Sequence, residues 1–122
     1  MGRPLGRIKH RESFLAVAAA RTKWVAPGFV LQAFSRSNQN NETRVGFTAS
    51  RKVGGAVVRN RAKRRLRALA DRVIADMGKP GMDYVLIGRK ETLTLPFAEM
   101  EQDLRRAVTT LKSRQPTKDS PQ

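Results

Sequence analysis

The chain contains no cysteine, which excludes disulfides and thiolate metal sites. It has a single histidine, His10, so histidine-based metal clusters and Ser/His or Cys/His catalytic pairs have no material to form from. No run approaches the roughly 20 apolar residues of a membrane span. The basic stretch Met1 to Lys9 is not followed by the apolar segment and small-residue cleavage site of a secretory signal. Acids are scarce as well: 10 Asp and Glu stand against 25 Lys and Arg, for a formal net charge of +15. With 122 residues, 39% of them hydrophobic, there is enough for one modest core and so for one domain over residues 1–122. A self-sufficient catalytic site has little to be built from. What remains reads as a small soluble, cytoplasmic protein whose charge calls for a polyanion.

The charge is not spread evenly. Residues 51–67 hold eight Lys and Arg and no acid, and residues 1–23 hold six basic residues and one acid. Residues 68–122 hold nine basic and eight acidic residues, the balance of an ordinary solvated surface. Basic residues serving only solubility need no such clustering, whereas a polyanion site does.

Periodicity and turn signals divide the rest. Residues 1–6, punctuated by Gly and Pro, and 115–122, polar with two Pro, read as disordered ends. A first helix is expected over His10 to Ala20, with Phe14, Leu15, Val17 and Ala18 as its apolar side. Lys23 to Pro27 suggests a short extra strand, and Pro27-Gly28 a turn. Phe29 to Phe34 alternates as a strand, with Val30, Gln32 and Phe34 on one face. The Asn-rich stretch Ser35 to Thr43 reads as a hairpin loop leading to a strand over Arg44 to Ser50. After Gly54-Gly55, a long helix is expected over Ala56 to Met77, where Val58, Ala62, Leu66, Leu69, Val73 and Met77 form one stripe. Gly78 to Gly81 ends it. Tyr84 to Ile87 is a continuous apolar run, as in a central strand buried on both faces, and a third helix follows Pro96. The order is α-β-β-α-β-α: an α+β fold, with three helices packed on a small mixed sheet.

The informative segment is Arg59-Asn60-Arg61-Ala62-Lys63-Arg64-Arg65-Leu66-Arg67. On a helix, Arg59, Lys63 and Arg67 make one ridge, Asn60 and Arg64 the next, and Arg61 and Arg65 a third. All avoid the centre of the apolar stripe. Like charges four residues apart cost a helix roughly 0.2–0.5 kcal/mol per pair, and an anionic partner turns that repulsion into affinity. Arginine predominates, and a guanidinium forks onto phosphate and stacks on bases as an ammonium does not. A merely solvated face would intersperse acids. A membrane-surface helix would carry large exposed apolar anchors and would not be flanked by strands. Nucleic acid fits best. The mixed architecture, without a helix-turn-helix pattern, leans toward RNA over DNA.

The stretch from Arg44 to Arg67, Arg-Val-Gly-Phe-Thr-Ala-Ser-Arg-Lys-Val-Gly-Gly-Ala-Val-Val-Arg-Asn-Arg-Ala-Lys-Arg-Arg-Leu-Arg, resembles the signature of the bacterial ribonuclease P protein component. The resemblance continues at Asp83 to Lys90 and, more weakly, at Arg7-Ile8-Lys9 with Phe14, and so spans about residues 7–112. It implies an α+β fold with a left-handed βαβ crossover, against the usual hand. It implies a protein subunit paired with a large catalytic RNA, in a particle that removes the 5′ leader of precursor tRNA. The RNA would hold the Mg²⁺ ions, with none bound strongly by the protein, which would supply no catalytic group. No membrane and no obligate protein partner are implied. By motif position, Arg51, Lys52, Arg59, Asn60, Arg61, Lys63, Arg64 and Arg67 would meet the RNA subunit. Phe14, Val30, Gln32 and Ser50 would line a cleft for the leader. Ala18 and Gln32 depart from the family pattern, which often has aromatic residues there. Trp24 and Phe47 read as core. Two rivals are a structural RNA-binding module such as a ribosomal protein, which would not change precursor-tRNA cleavage, and a DNA-binding regulator, which would prefer duplex DNA. A stand-alone nuclease would have to use Asp71, Asp76 and Asp83, which helix spacing scatters.

Overall fold

The structure is a computed structural model that describes residues 4–36 and 41–113. Its strands are β1 (Gly6–Arg7), β2 (Lys23–Ala26), β3 (Phe29–Ser35), β4 (Arg44–Ala49) and β5 (Met82–Gly88), and its helices are α1 (Arg11–Ala19), α2 (Ala56–Met77) and α3 (Phe97–Ser113). The strands form one sheet in the order β1-β4-β5-β3-β2. β1 runs parallel to β4 and β4 parallel to β5, while β5–β3 and β3–β2 are antiparallel.

The expected α+β arrangement of helices and strands holds, and the short strand near Lys23 is present as β2. Two features differ. Ser35 to Thr43 does not close a hairpin, because β5 lies between β3 and β4. The cause is in β5 itself: Met82, Asp83, Tyr84, Val85 and Leu86 are all buried, and so apolar a segment is best covered as a central strand. The second difference is β1. Of the segment 1–6 expected to be disordered, residues 1–3 lie outside the described residues, Leu5 packs against the core and Gly6 pairs with Arg44. The expected tail 115–122 also lies outside the described residues.

Alternation then sorts the two faces. Phe29, Leu31 and Ala33 of β3, Met82, Tyr84 and Leu86 of β5 and Val45 of β4 turn to one face. There they pack with Leu66, Leu69, Val73 and Ile74 of α2 and Met100, Leu104, Val108 and Leu111 of α3. The opposite face carries α1, whose Val17 packs with Ile8 and Val85, flanked by Phe14, Phe34 and Ile87. The stripe foreseen on α2 is its buried side, except that Val58 and Met77 at the two ends are only half-buried.

The strand β4, helix α2 and strand β5 form a βαβ unit with neighbouring parallel strands. Between β4 and α2 the chain makes a single 3-10 turn, Arg51–Val53, capped where Ser50 Oγ accepts from the Lys52 N–H at 3.3 Å. Gly54 then takes φ +151°, and a Cβ there would stand 2.8 Å from a Val58 methyl, so the turn into α2 requires glycine.

Candidate nucleic-acid interface

Helix α2 starts without help at its positive end. Its N-cap is Gly55, no side chain caps it, and its first turn has no acid. Arg59, Arg61 and Lys63 follow within about two turns, Arg59 nearest the end where the macrodipole disfavours cations. Among the described residues no ion pair involves Arg59, Arg61, Lys63, Arg64 or Arg67. Of the carboxylates of α2 and α3, Glu101 pairs with Arg72 and Arg105, Asp76 with Arg105 and Asp103 with Arg106, none with the basic half of α2. The basic half of α2 is therefore an uncompensated field.

The structure separates the candidate cations by what they face. Asn60, Lys63, Arg64 and Arg67 come together with Arg7 and Phe47 around a cavity of about 420 Å³ at the β1–β4 edge of the sheet. Arg59 and Arg61 lie on α2 to either side and do not line it, and Arg51 and Lys52 stand exposed on the preceding turn. Arg65, which helical spacing places beside Arg61, turns inward. It donates to the Leu95 carbonyl at 2.7 Å and the Thr92 carbonyl at 3.2 Å and lies 5.7 Å from the Phe97 ring centroid. It holds α2 to the segment before α3, two of its five N–H donors being spent on those carbonyls.

Two members of this cavity escaped the sequence. Arg7 lies in a two-residue strand too short to register as one, and Phe47 reads as core. Phe47 is in fact half-buried, with the guanidinium carbons of Arg7 and Arg67 at 5.5 and 5.7 Å from its centroid. Alternation on β4 places it on the face of Val45, but only the pairing of β1 with β4 shows that this face emerges from under the helices there.

The second candidate region lies across the sheet. Phe14 of α1 sits on Gly46, where a Cβ would come within 2.6 Å of the ring. Gln32 and Val85 continue the same cross-strand row, and Val30, Ile87 and Thr48 form the next. Phe14, Val30 and Gln32 are all half-buried on one side of the sheet, and Ser50 lies exposed beyond Thr48, occupied in capping its turn. Val25, opposite Val30 on the edge strand, is 57% exposed and extends this row.

On the other flank of α1 a cavity of about 350 Å³ is lined by Glu12, Ser13, Ala16, Phe34, Arg36, Arg44 and Asp83. Its acid is already engaged. Asp83 accepts two hydrogen bonds from Arg44, at 2.7 and 2.8 Å, and another from Arg36. That hydrogen bonding holds the Arg44 guanidinium above its ordinary pKa. No three His, Asp or Glu side chains cluster in a way that could hold a metal ion among the described residues, and no described helix is long and apolar enough to cross a membrane.

A model of the family described as Ribonuclease P matches residues 4–112, nearly the whole described chain. The chain belongs to the ribonuclease P protein family. The ribonuclease P protein component of Paramagnetospirillum magneticum is 48% identical over 120 residues, covering 96% of this chain and 90% of that protein. That of Ruegeria pomeroyi is 50% identical over 111 residues, covering 89% and 88%. Among solved structures, the RNase P protein of Thermotoga maritima superposes with a TM-score of 0.70 at 26% identity, over 85% of this chain and 96% of that one. The Staphylococcus aureus RNase P protein shares the fold, with a TM-score of 0.70 at 21% identity over 89% and 97%. The ribonuclease P resemblance of the Arg44 to Arg67 stretch thus extends to the whole fold.

Proposed function

We propose that this chain is the protein subunit of a ribonucleoprotein that removes the 5′ leader from precursor tRNA, and that it binds the RNA subunit through the cations of α2 that turn from the core. The observation that carries the reading is the group Arg59, Arg61, Lys63, Arg64 and Arg67 on the side of α2 turned from the core, which makes no ion pair among the described residues. Arg51 and Lys52 extend it. The face beside α1, with Phe14, Val30, Gln32 and Ser50, receives the single-stranded leader. Stacking and apolar contact hold a strand there with little regard to sequence. With Ala18 on α1 and Gln32 on β3 this face has one aromatic ring fewer to offer at each position and holds the leader with more polar contact.

The chemistry in this reading is not the protein's. In this reading the Mg²⁺ ions belong to the RNA subunit; among the described residues no carboxylates cluster as a metal site would, and the buried Asp83 is taken up by two arginines. The protein neutralises phosphate charge and so lowers the Mg²⁺ concentration at which the RNA works.

The test is cleavage of a precursor tRNA by a bacterial ribonuclease P RNA at low Mg²⁺, with and without this chain. Restored cleavage at the mature 5′ end is expected. Tight RNA binding by the folded protein without rescue, with a matched RNA subunit as control, would instead make it a structural RNA-binding module. If about six cations meet phosphates, affinity for the RNA falls about a thousandfold between 50 and 200 mM salt. Arg64→Ala with Arg67→Ala should lower the log–log salt slope by about 2. An unchanged slope would take α2 out of the interface.

A further inference from the structure

The cavity at the β1–β4 edge contains something a phosphate track does not need. Phosphates passing along a cationic helix require charge at the surface, and neither a recess nor a ring. Here Phe47 forms part of the wall, half-buried, although its strand neighbour on the same face, Val45, is 2% exposed and its cross-strand partner Leu86 is fully buried. Phe47 is the last large apolar side chain of β4 on that face, with only Ala49 beyond it. Arg7 reaches the ring from β1 and Arg67 from α2, so cations from two elements are held against one π-system. A guanidinium so held keeps its plane ordered and weakly hydrated, ready to stack on a base. Lys63 and Arg64 supply further charge beside it, and Asn60 brings both a donor and an acceptor, which matches a base edge and not a phosphate alone. The volume, about 420 Å³, falls in the range of sites for small organic ligands.

We propose that this cavity takes one unstacked nucleotide of the RNA that α2 binds. Its base packs on the Arg7–Phe47–Arg67 set with its edge toward Asn60, and its phosphate lies against Lys63 and Arg64. The proposal rests on the RNA-binding reading of α2 and adds to it a single-nucleotide contact, distinct from the leader face on the other side of the sheet.

The experiment uses the full chain reassembled with a bacterial ribonuclease P RNA. Affinity at several salt concentrations and nucleotide-resolution acylation of the RNA 2′-hydroxyls are measured for the unaltered chain, Phe47→Leu, Phe47→Tyr and Asn60→Ala. Phe47→Leu is expected to weaken binding by between about five- and a hundredfold, the range for losing one stacked base. The salt slope stays unchanged, because no cation is lost. Phe47→Tyr keeps most of the affinity. Asn60→Ala, on the exposed face, alters the reactivity of the same nucleotide without touching the core. An RNA made abasic at that nucleotide should bind the unaltered chain and Phe47→Leu equally.

Three results overturn the proposal: binding of Phe47→Leu like the unaltered chain, an equal loss toward the abasic RNA, or no single nucleotide responding to either Phe47→Leu or Asn60→Ala. If Phe47→Leu does not fold, the Asn60→Ala footprint and the affinity of the unaltered chain for the abasic RNA decide. If the pocket variants do nothing while Arg64→Ala with Arg67→Ala still flattens the salt slope, only the nucleotide pocket falls. If the slope is also unchanged, the α2 interface falls with it.

Discussion

Asp83 sits in the central strand with its side chain 2% exposed, between Arg36 at 6% and Arg44 at 24%. Ion pairs this buried are expensive to break, because the partner left behind keeps its charge without its hydration. Asp83→Ala is therefore expected to destabilise the fold by about 3 kcal/mol, read as a lower urea midpoint at unchanged slope. A loss under about 1 kcal/mol would show that water already screens the pair. Gly46 makes a different kind of demand. Any Cβ there meets Phe14 at 2.6 Å and Ile8 at 3.3 Å, so Gly46→Ala must lift the ring of Phe14 off the sheet. The expected cost is about 1–3 kcal/mol from overpacking, together with weaker binding of precursor tRNA but not of mature tRNA. Equal losses for both RNAs would separate Phe14 from the leader.

At the scale of elements, α2 and α3 are joined on their solvent side by Glu101, which accepts from Arg72 at 2.9 Å and from Arg105 at 3.2 Å. The hydrogen bond from Arg72, with that from Arg105, lowers the Glu101 pKa below its ordinary value of 4.5. A carboxylate whose folded pKa is depressed adds stability that is whole above its unfolded value and is lost as pH falls through the folded one. Glu101→Gln should therefore flatten the acid limb of the stability curve below about pH 4.5 and leave its shape near pH 7 unchanged. An acid limb identical to that of the unaltered chain would assign the loss to other carboxylates. This clamp also shows what kind of information the sequence held. The bounds of α2 were legible because its apolar stripe, the Gly54-Gly55 entry and the Gly78 exit all lie within one segment. The cationic face was legible for the same reason. That β5 is central was legible in its apolar run, but not that it separates β3 from β4; nor were the two-residue strand β1 and the inward turn of Arg65, since each depends on partners far along the chain. Arg65 shows the limit most sharply: its spacing matches that of Arg61, and only the carbonyls of Thr92 and Leu95 draw it inward.

For the molecule as a whole, the net charge of +15 is unevenly opposed. The α2–α3 side and the Asp83 triad carry ion pairs, while among the described residues no ion pair involves Arg7 or Arg59, Arg61, Lys63, Arg64 and Arg67 of α2. Self-repulsion then counts against the compact state of the free protein, and any anion that binds only the folded form restores stability by mass action. At a hundred times its dissociation constant, a short single-stranded RNA should add about 2.7 kcal/mol, which for a domain of this size raises the melting temperature by on the order of 10 °C. Sulfate should give a smaller rise that exceeds that of chloride at equal ionic strength. Arg64→Ala with Arg67→Ala relieves part of the repulsion in advance. The doubly substituted protein should start from a higher melting temperature at low salt and gain less from either anion. Equal gains in the two proteins would place the responsive charge elsewhere, at the basic N-terminal segment, and would leave α2 a stable solvated helix.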